Sequence, residues 1–193
     1  LSQCKQIAGM ELNISCPNVK QGGITFGTDP AVVKQITCEV KKVVRNKILI
    51  VKLTPNVTNI STIAQVAVDN GADALSLINT LTAMVIDVET RKPVLANRTG
   101  GLSGPAIKPI AVYLVNKVYN EVAKSAKIPL IGGGGIRNAS DALEFIIAGA
   151  TAVTVGTASF IDPQCAGKIP AGIEDYCRRH KISSISKLTG SLK

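Results

Sequence analysis

No tryptophan occurs in this sequence, and its 193 residues hold one histidine, three phenylalanines and three tyrosines. Stacking platforms for nucleic-acid bases are therefore scarce. The basic residues behind the net charge of +9 are spread along the chain, so nucleic acid is not an expected partner. The lone histidine, His180, sits in Arg178-Arg179-His180-Lys181, which reads as a solvated face. That inventory excludes a histidine-dependent triad and a zinc site. No apolar run approaches the roughly 18 residues that span a bilayer, and the N-terminus lacks the basic-then-apolar layout of a signal peptide. No membrane association is expected, and a cytoplasmic location is. Five cysteines are scattered without any C-x-x-C pair, and the odd number argues against a disulfide framework. Neither a metal site nor an iron–sulfur centre can be assembled from them. The positive charge suits small anionic ligands and an acidic protein partner better.

What is present is an alternation of short apolar runs with helical patterns. With 46% hydrophobic and 18% charged residues, the chain reads as globular, and residues 1–193 read as one domain. Strands are expected at about 10–15, 47–53, 73–78, 128–132 and 151–155, rich in Ile, Val and Leu on both faces as in a covered parallel sheet. A helix is expected over 108–124, with Ile110, Leu114, Val115, Val118, Tyr119 and Val122 on its buried stripe. Another is expected over 139–148, with Asn138 or Ser140 as its cap and Gly149 as its stop. Repeated strand-helix units point to an α/β fold, either a (β/α)8 TIM barrel or a doubly wound sheet. Glycines after the last two strands, Gly132 to Gly135 and Gly156, favour the barrel, whose final two loops commonly bind phosphate. The first helix also lacks a G-x-G-x-x-G. A barrel takes eight units and about 250 residues. The expectation is the C-terminal part of a barrel, with about its last five βα units present and the first three absent.

The segment Glu11-Leu12-Asn13-Ile14-Ser15-Cys16-Pro17-Asn18 carries the chemistry. The Cys16-Pro17 step holds a thiol extended at a strand's end, among polar side chains, where α/β folds place ligands. The loop behind it, Lys20 to Gly27, is glycine-rich enough to act as a lid. The longest connection, Asn79 to about Lys108, exceeds a simple βα turn and reads as functional or disordered. Lys52, on an apolar strand, needs a charged partner, either a ligand or an internal carboxylate.

Together Asn13-Ile-Ser-Cys16-Pro-Asn18, Gly22-Gly23, Phe26-Gly27-Thr28-Asp29-Pro30, Val51-Lys52-Leu53, Ile78-Asn79-Thr80, Gly100-Gly101-Leu102-Ser103-Gly104-Pro105 and the glycine runs resemble class 1 dihydroorotate dehydrogenases of the NAD-linked subtype. The resemblance runs from about Met10 to Lys193. It implies oxidation of dihydroorotate to orotate in pyrimidine biosynthesis, with FMN as cofactor. Cys16 would be the base that removes the C5 proton. Asn13, Asn79, Thr80, Asn18 and Ser15 would contact the substrate. Asn13, Lys52, Ile78, Gly104, Gly134, Gly135, Gly156 and Thr157 would hold FMN. It further implies a homodimer of catalytic subunits working with a partner subunit that carries FAD and a 2Fe–2S centre and passes electrons to NAD. Two other readings remain: an FMN barrel of uracil or thymine breakdown, and an inert fragment or scaffold. The breakdown enzymes typically have histidine where Asn18 stands.

Overall fold

A computed structural model describes residues 4–15, 26–44 and 46–193. Along the chain, β1 (Gly9–Asn13) leads to α1 (Pro30–Val43), and β2 (Ile48–Lys52) leads to α2 (Ile60–Asp69). After β3 (Ala74–Leu77) come β4 (Leu81–Ala83), β5 (Ile86–Asp87), β6 (Lys92–Pro93) and β7 (Gly100–Leu102). They pair as two antiparallel ribbons, β4 with β7 and β5 with β6. The chain continues through α3 (Lys108–Val118), a π-helical turn Tyr119–Ala123, α4 (Lys124–Ala126), β8 (Leu130–Gly133), α5 (Ala139–Ala148), β9 (Ala152–Thr154), α6 (Ala158–Ile161) and α7 (Cys165–Arg179).

The five long-range strands form one parallel sheet in the order β1-β2-β3-β8-β9. Each of the five expected strands is present, shifted or shortened by one or two residues at its ends. Leu49, Val51, Leu75 and Leu130 are fully buried in the main core together with helix residues such as Val33, Ile63 and Val115. With the strands in sequential order, right-handed crossovers lay their helices on one face of the sheet, as in a barrel wall. β1 and β9 are the edges among the described residues, and the sheet is not closed into a ring. This is an open, partial (β/α)8 barrel.

Local chemistry sets several element boundaries. Asp29 caps α1 by accepting from the Ala31 N–H at 2.8 Å, and Pro30 occupies the first turn, where its missing N–H costs nothing. Asn138, not Ser140, caps α5, accepting from the Asp141 N–H at 2.9 Å, and Gly149 ends it at φ +129°. β1 stops at Asn13, short of the expected residue 15, because the Asn13 Oδ1 takes the Ser15 N–H at 3.0 Å and bends the chain into an Asx turn.

Two expectations need correction. The helix expected over 108–124 is not continuous: a π-helical turn at Tyr119–Ala123 interrupts it. Its buried stripe is Ala111, Val115, Val118 and Val122, while Ile110 is exposed and Leu114 and Tyr119 are half-buried. Hydrophobic periodicity gives weight to large side chains, whereas the small Ala111 is the one that fits flush against the sheet. Of the two readings of the long connection after Asn79, functional or disordered, the structure removes the second, since two antiparallel ribbons run through it.

Gly132 lies where a Cβ would come within 2.8 Å of the Phe145 ring and 3.0 Å of the Ala150 Cβ. The first glycine of that run therefore serves core packing, because it lets the fully buried Phe145 lie against β8.

Candidate functional site

The sheet's carboxyl ends gather nearly every expected site residue that the structure describes. Asn13 ends β1 and sits in register with Lys52, which ends β2. Ile78 and Asn79 follow β3, and their N–H groups donate to the Gly133 and Leu53 carbonyls at 3.0 Å each. The Leu77–Ile78 peptide bond is cis. Cys16 and Asn18, and the proposed lid up to residue 25, lie outside the described residues.

The polar groups here form one connected chain. Asn79 donates through Nδ2 to the Asn13 Oδ1 at 3.2 Å, and its own Oδ1 accepts the Thr80 N–H at 2.9 Å. Side chains from the ends of β1 and β3 thus fix one another, so their amide edges are presented together. Amides supply donors and acceptors side by side, which suits a ligand edge that alternates the two. Ser15 plays a different part. It is buried, and its hydroxyl donates to the Lys52 carbonyl at 3.3 Å, tying the end of β1 to the end of β2. Lys52 has found the internal carboxylate: its Nζ lies 3.3 Å from Glu11 Oε1 on the neighbouring strand. Both side chains keep partial solvent access, so this pair is weak and leaves the ammonium available to a second anion.

A second cluster lies where the last two strands end. Gly104, Gly135, Gly156 and Thr157 line one narrow cleft together with Arg137. Gly135 (φ +84°) adopts a left-handed conformation, and a Cβ there would lie 2.7 Å from the Gly104 carbonyl oxygen. Gly134 (φ +133°) turns inward, where a Cβ would meet the Ala111 Cβ at 2.8 Å, so it shapes the turn and does not line the cleft. Gly156 is different in kind: among the described residues, a Cβ added to it would meet nothing within 4 Å beyond its chain neighbours, so no packing between them calls for glycine at this position. Thr157 donates from Oγ1 to Ser103 Oγ at 2.8 Å, joining the loop after β9 to the glycine loop after β7.

Behind this cleft stands Asp141, a residue sequence reasoning missed. Its side chain is only 4% exposed and accepts from Lys108 Nζ at 2.7 Å, the Arg137 N–H at 3.0 Å and the Arg137 Nε at 3.2 Å. Lys108 also pairs with Glu144. Burial by itself would raise the Asp141 pKa, but hydrogen bonds from Lys108 and then Arg137 outweigh it and hold the carboxyl below its ordinary range. The same bonds, to Asp141 first and Glu144 second, raise the pKa of Lys108. A depressed carboxyl contributes stability that is present above its unfolded pKa and lost as pH falls through the folded one. A raised lysine contributes stability present below its unfolded pKa and lost as pH rises through the folded one. Asp141→Asn should therefore cost about 1–3 kcal/mol near neutral pH. In urea unfolding of the full-length protein, the gap between variant and parent should shrink as pH falls below about 4. A gap independent of pH would show that the carboxylate's charge is not what braces this loop.

Among the described residues, no group of three or more His, Cys, Asp and Glu side chains could hold a metal ion, and no helix is long and apolar enough to cross a membrane. The four described cysteines are unpaired with one another.

Comparison with known proteins converges on one family. Residues 3–176 match the family described as Dihydroorotate dehydrogenase. The chain is 60% identical over 187 residues to a protein of Citrifermentans bemidjiense named Dihydroorotate dehydrogenase B (NAD(+)), catalytic subunit, covering 97% of this chain and 60% of that one. It is 56% identical over 193 residues to the protein of the same name from Pelobacter propionicus, covering all of this chain and 62% of that one. The chain thus spans about three fifths of the length of these curated relatives. The crystal structure of DHODH from Eimeria tenella in complex with ferulenol superposes with a TM-score of 0.78 at 24% identity, over 95% of this chain and 54% of that one, a likeness of fold.

Proposed function

We propose, from the premise that this chain belongs to the dihydroorotate dehydrogenase family, that it supplies the catalytic end of an FMN-dependent oxidation of dihydroorotate to orotate in pyrimidine biosynthesis. The observation that carries this reading is the hydrogen-bonded chain from Asn13 through Asn79 to Thr80, beside Lys52, at the carboxyl ends of three adjacent strands. Asn13, Asn79 and Thr80 hold the pyrimidine, joined by Asn18 and Ser15. Cys16 takes the C5 proton. An unperturbed thiol has a pKa near 8.5, and modest tuning makes its thiolate a working base near neutral pH.

The chain's residues suit FMN in chemistry. Gly104, Gly135, Gly156 and Thr157 line a cleft with an arginine at its rim, and the open space at Gly156 accommodates phosphate oxygens without displacing protein atoms. Gly134 supports that cradle from behind. Ile78 offers an apolar surface to the ring system, and the Lys52 ammonium favours negative charge placed beside it. Bound FMN supplies the acceptor for the hydride leaving C6. Residues 1–193 form one unit of a larger barrel, and the subunit pairs with a second copy of itself. A partner subunit carrying FAD and a 2Fe–2S centre delivers the electrons to NAD.

The test is direct. The full-length protein should purify with the absorbance of an oxidised flavin, and anaerobic dihydroorotate should bleach it with one orotate formed per flavin. Bleaching by dihydrouracil but not dihydroorotate would move the assignment to pyrimidine breakdown. A flavin-free protein that also fails to bind added FMN would end the reading.

A further inference from the structure

We infer that Asn56, in the loop between β2 and α2, is a positioning residue that sets the pyrimidine contacts from outside the site. Its side-chain amide is spent on one stretch of backbone. Nδ2 donates to the Thr80 carbonyl and Oδ1 accepts the Thr82 N–H, both at 2.9 Å. An amide that gives to residue i and takes from residue i+2 reproduces what a neighbouring strand's peptide group would offer. Asn56 therefore acts as a one-residue strand along β4, whose own ladder partner is β7. The amide is itself held: Nδ2 also donates to Thr54 Oγ1 at 3.0 Å, and the Asn56 N–H donates to the same oxygen at 3.2 Å. Thr54 is 4% exposed, so this anchor belongs to the core.

Asn56 is an exposed residue. Water could satisfy its amide, so stability does not require both bonds to fall on Thr80 and Thr82. Their consequence is local. Thr80 is fixed on its carbonyl side by Asn56 and on its N–H side by the Asn79 Oδ1, and Asn79 in turn reaches Asn13. Releasing the Thr80 carbonyl frees that peptide to rotate and carries Asn79 away from Asn13. This inference rests on the reading of Asn79 and Thr80 as pyrimidine contacts.

The test is orotate binding by calorimetry to the full-length, flavin-loaded protein, in a double-mutant cycle. Asn56→Ala should weaken orotate about tenfold, with flavin content and melting temperature close to the parent's. In an Asn79→Ala background the same change should cost almost nothing, because the group it positions is gone. Asn56→Asp keeps the acceptor for Thr82 and loses the donor to Thr80; it too should weaken orotate, and it decides the matter if the alanine variant does not fold. Parent-like orotate affinity in Asn56→Ala, or losses that multiply independently with Asn79→Ala, would overturn the inference while leaving the site reading intact. Parent-like affinity in Asn79→Ala alone would overturn the site reading and this inference with it.

Discussion

Cys16→Ala in the full-length protein should lower dihydroorotate oxidation by about two to four powers of ten, the usual worth of a positioned base. The C5 proton of dihydroorotate is weakly acidic, and no other side chain in the Asn13-to-Asn18 segment titrates near neutral pH. With the thiol gone, water must serve, without position and without a matched pKa. Flavin content should barely change, because the proposed FMN contacts lie on other residues. Cys16→Ser should recover part of the rate at raised pH, since a hydroxyl gives up its proton only to a stronger base. Turnover near the parent's in the alanine variant would remove Cys16 from the mechanism.

Gly156→Val is expected to abolish FMN retention while leaving the fold intact. The position is unusual among the glycines of the proposed phosphate site. Gly134 and Gly135 have positive φ and close neighbours, so a side chain at either would strain the backbone as well as block a ligand. At Gly156 neither objection applies: φ is not in the left-handed region, and among the described residues nothing beyond its chain neighbours lies within 4 Å of the added carbon. With no described residue beyond the chain neighbours in the way of the added carbon, the valine's effect is expected to fall on a bound ligand. The measurement is flavin-to-protein absorbance after purification, set beside the melting temperature of the flavin-free protein. Full flavin occupancy in Gly156→Val would place the phosphate elsewhere. A large loss of stability without flavin would show that the glycine serves the fold.

Much of this was legible in the sequence because the signals are local. Short apolar runs mark the strands of a parallel sheet, and all five appear near their expected places. Asn138 and Gly149 delimit α5 because a cap needs only its own next few residues. The ribbons after Asn79 were less legible. Their strands are two or three residues long and rely on pairing across up to about twenty intervening positions, which no short window registers. The interrupted helix was missed for a related reason: Tyr119–Ala123 has ordinary helical residues, and the π turn arises from how they pack.

For the site, the sequence by itself determined the inventory: a thiol, amides and a lysine at strand ends, and glycines after the last two strands. Tertiary structure alone decided which of these meet and what each is free to do. Asn13 and Asn79 are 66 residues apart yet share a hydrogen bond, Lys52 meets Glu11 across 41, and Asp141 draws Lys108 from 33 away. Parallel pairing forces each strand to return through a helix, so neighbours at the sheet's carboxyl end are always distant in the chain. The glycines divide for the same reason. Their letters are identical, but Gly132 accommodates Phe145, Gly134 and Gly135 form a left-handed turn, and Gly156 faces open space. Only the neighbours brought up by the fold distinguish packing, turning and making room.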